Sequence, residues 1–394
     1  MGHPYDALTL AELSSRRSMK WRAFPPDVLP AWVAEMDFPH AEAITRTLDA
    51  MVRASDTGYP WEGGLAEAYA AFSLRRYGFE PDIAGAGLVP DILRGIAIAL
   101  QQLTPSGSAV AFLTPAYPPF FETIRSIGRA VVQVPMVLSE TGRYELDPER
   151  IETAMADPEV AAFLLCNPHN PVGRVFDSSE LRLIAESAER HGVLVLSDEV
   201  HAPLTYPNPD GARGHLPFAA LGDVARDSVT LVSASKGWNL PGLKCALAIG
   251  NGPRTAAVFA NLSIEVRAGA SPLGVAANIA AFTEGVGWLE DTVAYLDRNR
   301  TLLSELLDTS LPAVRYVPPE ATYLAWLDCR GLGVGDDPAE VFLRRGRVAV
   351  NSGEDYGENG RGFVRLNFAT SAAILTETVS RMLTAVGDRA ELSE

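Results

Sequence analysis

Six short stretches of unbroken apolar character recur along the middle of the chain, at 109–113, 131–134, 161–165, 193–196, 229–232 and 246–249. They do not alternate polar with apolar, so each predicts a strand covered on both faces. Stretches with helical spacing, such as 179–191, lie between them. This order predicts an α/β fold built on a mostly parallel, doubly covered sheet, with ligand chemistry gathered at the strand ends.

The pattern changes after Val286. Leu289, Val293, Leu296, Leu303 and Leu307 keep helical spacing over a length that suits a connector between domains. Beyond it, 315–317, 322–327, 347–350 and 363–368 alternate as half-exposed strands do, which predicts a smaller α+β domain. The division expected is residues 1–45 as an N-terminal arm and part of the small domain, 46–287 as the large domain, and 288–394 as connector helix and small C-terminal domain. Residues 29–39 are too proline-bounded for a long helix and too apolar to lie free, so they read as a packed segment. Residues 391–394 read as a frayed tail. Pro90 and Asp91 precede the apolar periodic run 92–100, a helix start with Asp91 as its cap. The free amides of such a first turn suit a phosphate.

Composition narrows the classes. At 394 residues the chain has room for roughly two to three domains of about 150 residues. Hydrophobic residues make up 47% and charged residues 21%, which fits a globular enzyme rather than a disordered or fibrous chain. A formal net charge of −16 argues against a general nucleic-acid or anionic-membrane surface, while leaving room for anionic ligands held by a few local cations. There is no apolar run of about 18 residues, and the first residues lack the basic and apolar regions of a signal peptide, so a cytoplasmic protein is expected. Cys166, Cys245 and Cys329 are too few and scattered for a disulfide framework and sit in apolar runs, and the histidines show no metal-binding spacing.

Candidate chemistry collects where the strand model places it. Polar or aromatic groups follow the predicted strands at 114–120, 166–173, 197–201 and 233–236. Lys236, between serines and a Gly-Trp pair directly after the run 228–232, is not part of a solvated charge face. Partial burial and neighbouring cations lower the pKa of such an amine and make it a candidate nucleophile.

Asn170-Pro171-Val172-Gly173, Ser197-Asp198-Glu199-Val200-His201, Ser233-Ala234-Ser235-Lys236 and Gly242-Leu243-Lys244 together resemble the ordered signature of fold-type I pyridoxal-phosphate enzymes, the aspartate aminotransferase superfamily. Segments 32–38, 198–201, 321–328 and 363–370 are similar to those of the narrower MalY/PatB group, the cystathionine beta-lyase-like carbon-sulfur lyases. The resemblance implies pyridoxal 5'-phosphate as cofactor, with Lys236 as its Schiff-base lysine and proton shuttle. It implies Asp198 at the pyridine nitrogen, Asn170 at the ring oxygen, Tyr117 stacked on the ring and His201 beside it. Ser233, Ser235, Lys244 and the amides of Ile92 and Leu93 are then the phosphate contacts, with Tyr59 reaching in from a second subunit of a homodimer. Arg365 would clamp the carboxylate of an amino-acid substrate, with Ala34 beside it. The expected activity is β-elimination from cystathionine or another cysteine S-conjugate, giving thiol, pyruvate and ammonia. Transamination, a different outcome such as decarboxylation-linked deamination, and a non-catalytic regulator are the alternatives.

Overall fold

A computed structural model describes residues 3–207 and 214–387. The expected frayed tail lies outside the described residues.

Seven strands form the main sheet: β1 (Ala86–Val89), β2 (Ala109–Thr114), β3 (Ala130–Pro135), β4 (Val160–Cys166), β5 (Leu194–Asp198), β6 (Ser228–Val232) and β7 (Ala246–Gly250). They lie in the order β1-β7-β6-β5-β4-β2-β3. Only β7 runs against its neighbours. Strands β2, β5, β6 and β7 are buried at every position, so their uniform apolarity reflects layers on both sheet faces. One layer centres on Ile96, Leu100, Phe112 and Leu196, and another on Ile151, Phe163, Leu181 and Ile184. Strand β1 is an addition to the predicted set. Its Gly87 passes so close to the next layer that a Cβ would meet the Phe259 carbonyl oxygen at 2.3 Å.

Helix α1 (Ile92–Leu103) starts where Pro90 and Asp91 predict, and Asp91 accepts from the Arg94 amide at 2.9 Å. Helix α2 (Ser178–His191) begins in a capping box between Asp177 and Glu180 and ends at left-handed Gly192. The helix expected from the spacing after Val286 is α3 (Val286–Ser310), with Leu289, Val293, Leu296, Leu303 and Leu307 all buried.

A second sheet of β8 (Arg315–Tyr316), β9 (Leu324–Asp328), β10 (Asn351–Ser352) and β11 (Phe363–Asn367) is antiparallel, in the order β8-β9-β11-β10. Half-exposed strands were expected here, and the edge strands β8 and β10 are partly exposed, but the structure corrects the expectation for the two central strands: β11 is buried throughout and β9 at all but its last residue. Helices α3 and α4 (Ala372–Gly387) cover Val364 and Leu366, while Trp326 and Phe363 pack against the layer that contains Phe163. Both faces of these two central strands are therefore dry. Val348 and Ala349 do not join this sheet but pair in parallel with Leu29 and Pro30, which ties the N-terminal segment to the C-terminal unit. Among the described residues no helix is long and apolar enough to cross a membrane, and no cluster of histidine, cysteine or acidic side chains could hold a metal.

Candidate active site

Four strand ends converge on one cavity. Ala116 and Tyr117 follow β2, Asn170 follows β4, Asp198 closes β5 and Lys236 follows β6; of these, Tyr117, Asn170, Asp198 and Lys236 line the same space. Ile92, Leu93, Ser233, Ser235 and Lys244 line it too, as do His201 and Ala34. Parallel strands make this convergence automatic, because their C-terminal ends share one rim.

The lysine loop owes its shape to polar contacts beneath it. The Ser233 hydroxyl donates to the Cys245 carbonyl at 2.6 Å and accepts from the Ser235 amide at 3.0 Å, so Ser233 is spent as the cap of a single helical turn. Asn278 accepts from the Ala234 amide at 2.8 Å. The turn presents Lys236, whose Nζ donates to the Ala34 carbonyl at 3.0 Å. Burial and the Arg365 guanidinium push the Lys236 amine down to about 8, against the opposing pull of Asp198 and Glu35. At that value about a tenth is free base at pH 7, far more than for an ordinary lysine.

Asp198 is 4% exposed and, among the described residues, accepts one hydrogen bond, from the Val200 amide at 3.1 Å. Burial pushes its carboxyl up to about 7, more than Lys236 and the Val200 amide pull it down. A carboxylate so placed lacks a cationic hydrogen-bond partner. His201 is likewise buried, and burial together with Lys236 and Arg365 holds it well below its ordinary value, so it stays neutral. Its Nδ1 has no partner among the described residues.

Arg365, on β11, does not line the cavity directly and reaches it through Asn170. Its Nη1 donates to Asn170 Oδ1 at 3.1 Å, and Nη2 donates to the Trp32 carbonyl at 3.0 Å and Asn351 Oδ1 at 2.8 Å. With Oδ1 engaged, the amide nitrogen is the donor Asn170 can offer the cavity. Tyr356 lies under the guanidinium at 5.3 Å. At the other end, Lys244 holds a left-handed backbone (φ 47°) and its Nζ pairs with Asp91 Oδ2 at 2.9 Å. Asp91 is thus a cavity residue as well as a helix cap. Tyr59 lies outside its own chain's cavity and is 90% exposed.

Of residues 32–37, which form neither helix nor strand, sequence reasoning named only Ala34 as a site residue and missed the contacts made by the backbone. The Trp32 carbonyl accepts from Arg365, that of Val33 from Asn367 at 2.7 Å, and that of Ala34 from both Lys236 and the Tyr323 hydroxyl at 3.0 Å. The Glu35 carbonyl accepts from Asn367 at 2.8 Å and Lys20 at 3.1 Å. Asn239, next to the lysine turn, accepts from the Met36 amide and donates to its carbonyl at 2.8 and 2.9 Å. A buried pair of Lys20 and Asp37, 2.7 Å apart, closes the strap. The signal available was the density of amide, hydroxyl and guanidinium donors in segments 321–328 and 363–370.

A buried lysine, a buried acid and an asparagine at the carboxyl ends of a seven-stranded, mostly parallel sheet, with an arginine reaching that asparagine from the second sheet, fit the aspartate aminotransferase fold, fold type I. The chain belongs to the family of class I and II aminotransferases, whose model matches residues 65–382, and within it to the MalY/PatB group. It is 45% identical to a protein of Mycobacterium tuberculosis provisionally named a cystathionine beta-lyase, over 96% of this chain and 97% of that one. It is 35% identical to the cystathionine beta-lyase of Corynebacterium glutamicum, over 95% and 98% of the two chains. A crystal structure from Corynebacterium diphtheriae, provisionally named a PLP-dependent beta-cystathionase, superposes with a TM-score of 0.89 at 36% identity, covering 96% of this chain and 98% of that one.

Proposed function

We propose that this site holds pyridoxal 5'-phosphate and that the protein is a carbon-sulfur β-lyase acting on cystathionine or another cysteine S-conjugate, releasing thiol, pyruvate and ammonia. The observation that carries the reading is Asp198, a buried carboxylate without a cation hydrogen-bonded to it, in the same cavity as an amine lowered to about 8. A protonated pyridine nitrogen supplies what Asp198 lacks, and an aldehyde is what such an amine captures. The groups present fit the rest of the cofactor: the Asn170 amide for the ring hydroxyl, Tyr117 for the ring face, and Ser235, Lys244 and the first-turn amides of α1 for the phosphate.

When bound, the cofactor supplies a covalent handle for the amino group and an electron sink for the α-carbon. The chain's residues do the rest. Arg365 binds the substrate carboxylate in a two-bond geometry, exchanging its present acceptors for it. Lys236, as free amine, takes the α-proton, and the Ala34 carbonyl gives its Nζ a fixed place. His201 stays uncharged, so it adds no second cation beside Lys236. Binding at both ends of the substrate orients the bond to be broken. Tyr59 and Trp61, 90% and 81% exposed, make up the surface through which a homodimer would share its sites.

Purified protein is expected to show the absorption band of a lysine-linked cofactor and to release thiol and pyruvate from cystathionine without an added keto acid. Lys236→Ala should lose the band and at least about a thousandfold in rate, in keeping with removal of a nucleophile that is also the base. Amine transfer to a keto acid without thiol release would make it an aminotransferase. A band unchanged in Lys236→Ala overturns Lys236 as the cofactor's lysine, and its absence from wild-type protein overturns the cofactor assignment itself.

A further inference from the structure

The mechanism above gives no task to Tyr323, although it is fully buried (0% exposed) and its ring centroid lies 6.5 Å from that of His201. Its hydroxyl donates to the Ala34 carbonyl at 3.0 Å, the same oxygen that accepts from Lys236 Nζ at 3.0 Å. The backbone that delivers Tyr323 is unusual. Thr322, a β-branched residue, sits at φ 74°, a conformation that persists only when its surroundings impose it. The surroundings do so from two sides: the Thr322 amide donates to the Leu204 carbonyl at 3.2 Å and the Tyr206 hydroxyl donates to the Thr322 carbonyl at 2.5 Å. One residue earlier, the amides of Glu320 and Ala321 both donate to Gly173. Strain is thus held in the turn that points a phenol at the carbonyl where the lysine rests.

We propose that Tyr323 is a positioning residue for Lys236: by sharing the Ala34 carbonyl it fixes where the free amine waits and weakens that oxygen as a partner for the ammonium form. The physical argument has two parts with the same sign. A carbonyl oxygen that already accepts from a phenol has less charge to offer an ammonium. The phenol's O–H dipole also points its positive end at the oxygen against which the cation would lie. Both favour the neutral amine that removes the proton. The peptide cannot swing away to relieve this, because the flanking Val33 and Glu35 carbonyls are both held by Asn367. The other groups facing Lys236 are Arg365 and Lys244, which disfavour its charge, and Asp198 and Glu35, which favour it. The inference rests on the reading of Lys236 as the working amine.

The test is Tyr323→Phe, which keeps the ring and its packing and leaves Ala34 still bonded to Lys236. The chain has three lysines, Lys20, Lys236 and Lys244, so reductive methylation with a carbon-13 label gives few resonances. Each can be assigned in Lys244→Arg and Lys236→Ala. In cofactor-free protein the Lys236 resonance of Tyr323→Phe should titrate at higher pH than wild type by about half a unit or more. In holoprotein the acid limb of kcat should move the same way, with KM little changed. A titration that is unshifted or shifted down, in a variant melting near the wild-type temperature, overturns the proposal and leaves Tyr323 a packing residue. Failure of the cofactor or lysine reading is distinguishable, because it shows in the spectra of wild type and Lys236→Ala, whereas this titration is made without cofactor.

Discussion

The site is walled by two regions that work in opposite ways. At the strand-end rim, regular structure places side chains: β4, β5 and β6 deliver Asn170, Asp198 and Lys236, and the identity of each side chain is the chemistry. In the strap at 32–37 the backbone itself is presented, and four successive carbonyls, from Trp32 to Glu35, are taken up by side chains from elsewhere. The rim gains precision from the sheet's hydrogen bonds. The strap gains it from borrowed donors, most of them on β11, in the turn before β9, and in the lysine loop. A site of the first kind fails when one residue changes, and one of the second kind when a supporting donor does.

The largest effect expected from breaking the rim, short of removing the lysine, is Asp198→Asn. Holoprotein activity should fall at least about a hundredfold, the usual cost of removing one preorganised electrostatic group. The cofactor-free protein should respond in the other direction, and pH decides by how much. The Asp198 carboxyl is raised from its ordinary 3.8 to about 7, so between those values the folded chain holds a proton that the unfolded chain has lost. This term therefore favours folding at low pH and fades as pH rises through 7, where the carboxylate must ionise while buried. Cofactor-free Asp198→Asn should melt above cofactor-free wild type at pH 8, with the gap closing near pH 5. Scanning calorimetry at the two pH values checks this, and a gap that widens toward pH 5 refutes it.

The same contrast explains what could be read from the chain alone. The rim was legible because each of its residues stands beside an apolar run of sheet length, so pattern and chemistry pointed to the same places. The direction of β7 was not, since a strand buried on both faces looks the same in either direction. β1 escaped notice because Ala-Gly-Leu-Val is short and glycine-broken, and that glycine answers to a close approach visible only in three dimensions. Strands β9 and β11 were misread as half-exposed because their alternation marks two different buried environments, helices against Val364 and aromatic packing around Phe363. The strap was least legible, since carbonyls are the same in every residue. Asn351 and Asn367 carry no mark of what they hold.

Arg365 belongs to both regions, so Arg365→Lys sharpens the comparison. One ammonium cannot replace a guanidinium that spans Asn170, the Trp32 carbonyl and Asn351. Losing the two-bond grip on a carboxylate should raise KM about tenfold or more, at roughly 1.5–3 kcal/mol for a charged hydrogen bond. A smaller fall in kcat should accompany it, because the strap loses its first support. If KM is unchanged while kcat collapses, Arg365 serves the strap and the rim rather than the substrate.

The smallest effect, and the cleanest probe of the strap, comes from Asn367. Its Nδ2 donates to Val33 and Glu35 and its Oδ1 accepts from the Ala369 amide at 2.8 Å. In Asn367→Ala neither carbonyl is orphaned, because the Glu35 amide still reaches Val33 and Lys20 still reaches Glu35. Loss of stability should be about 1–2 kcal/mol and activity should fall a few-fold. Asn367→Asp keeps the acceptor for Ala369 but sets a carboxylate against two carbonyl oxygens, and should be worse than alanine on both counts. That order, asparagine above alanine above aspartate, follows only if the donated hydrogens are what count. If aspartate matches asparagine in melting temperature and rate, the strap holds its shape without Asn367, and residues 32–35 owe their place to Arg365, Tyr323, the Lys20–Asp37 pair and the Asn239 clamp.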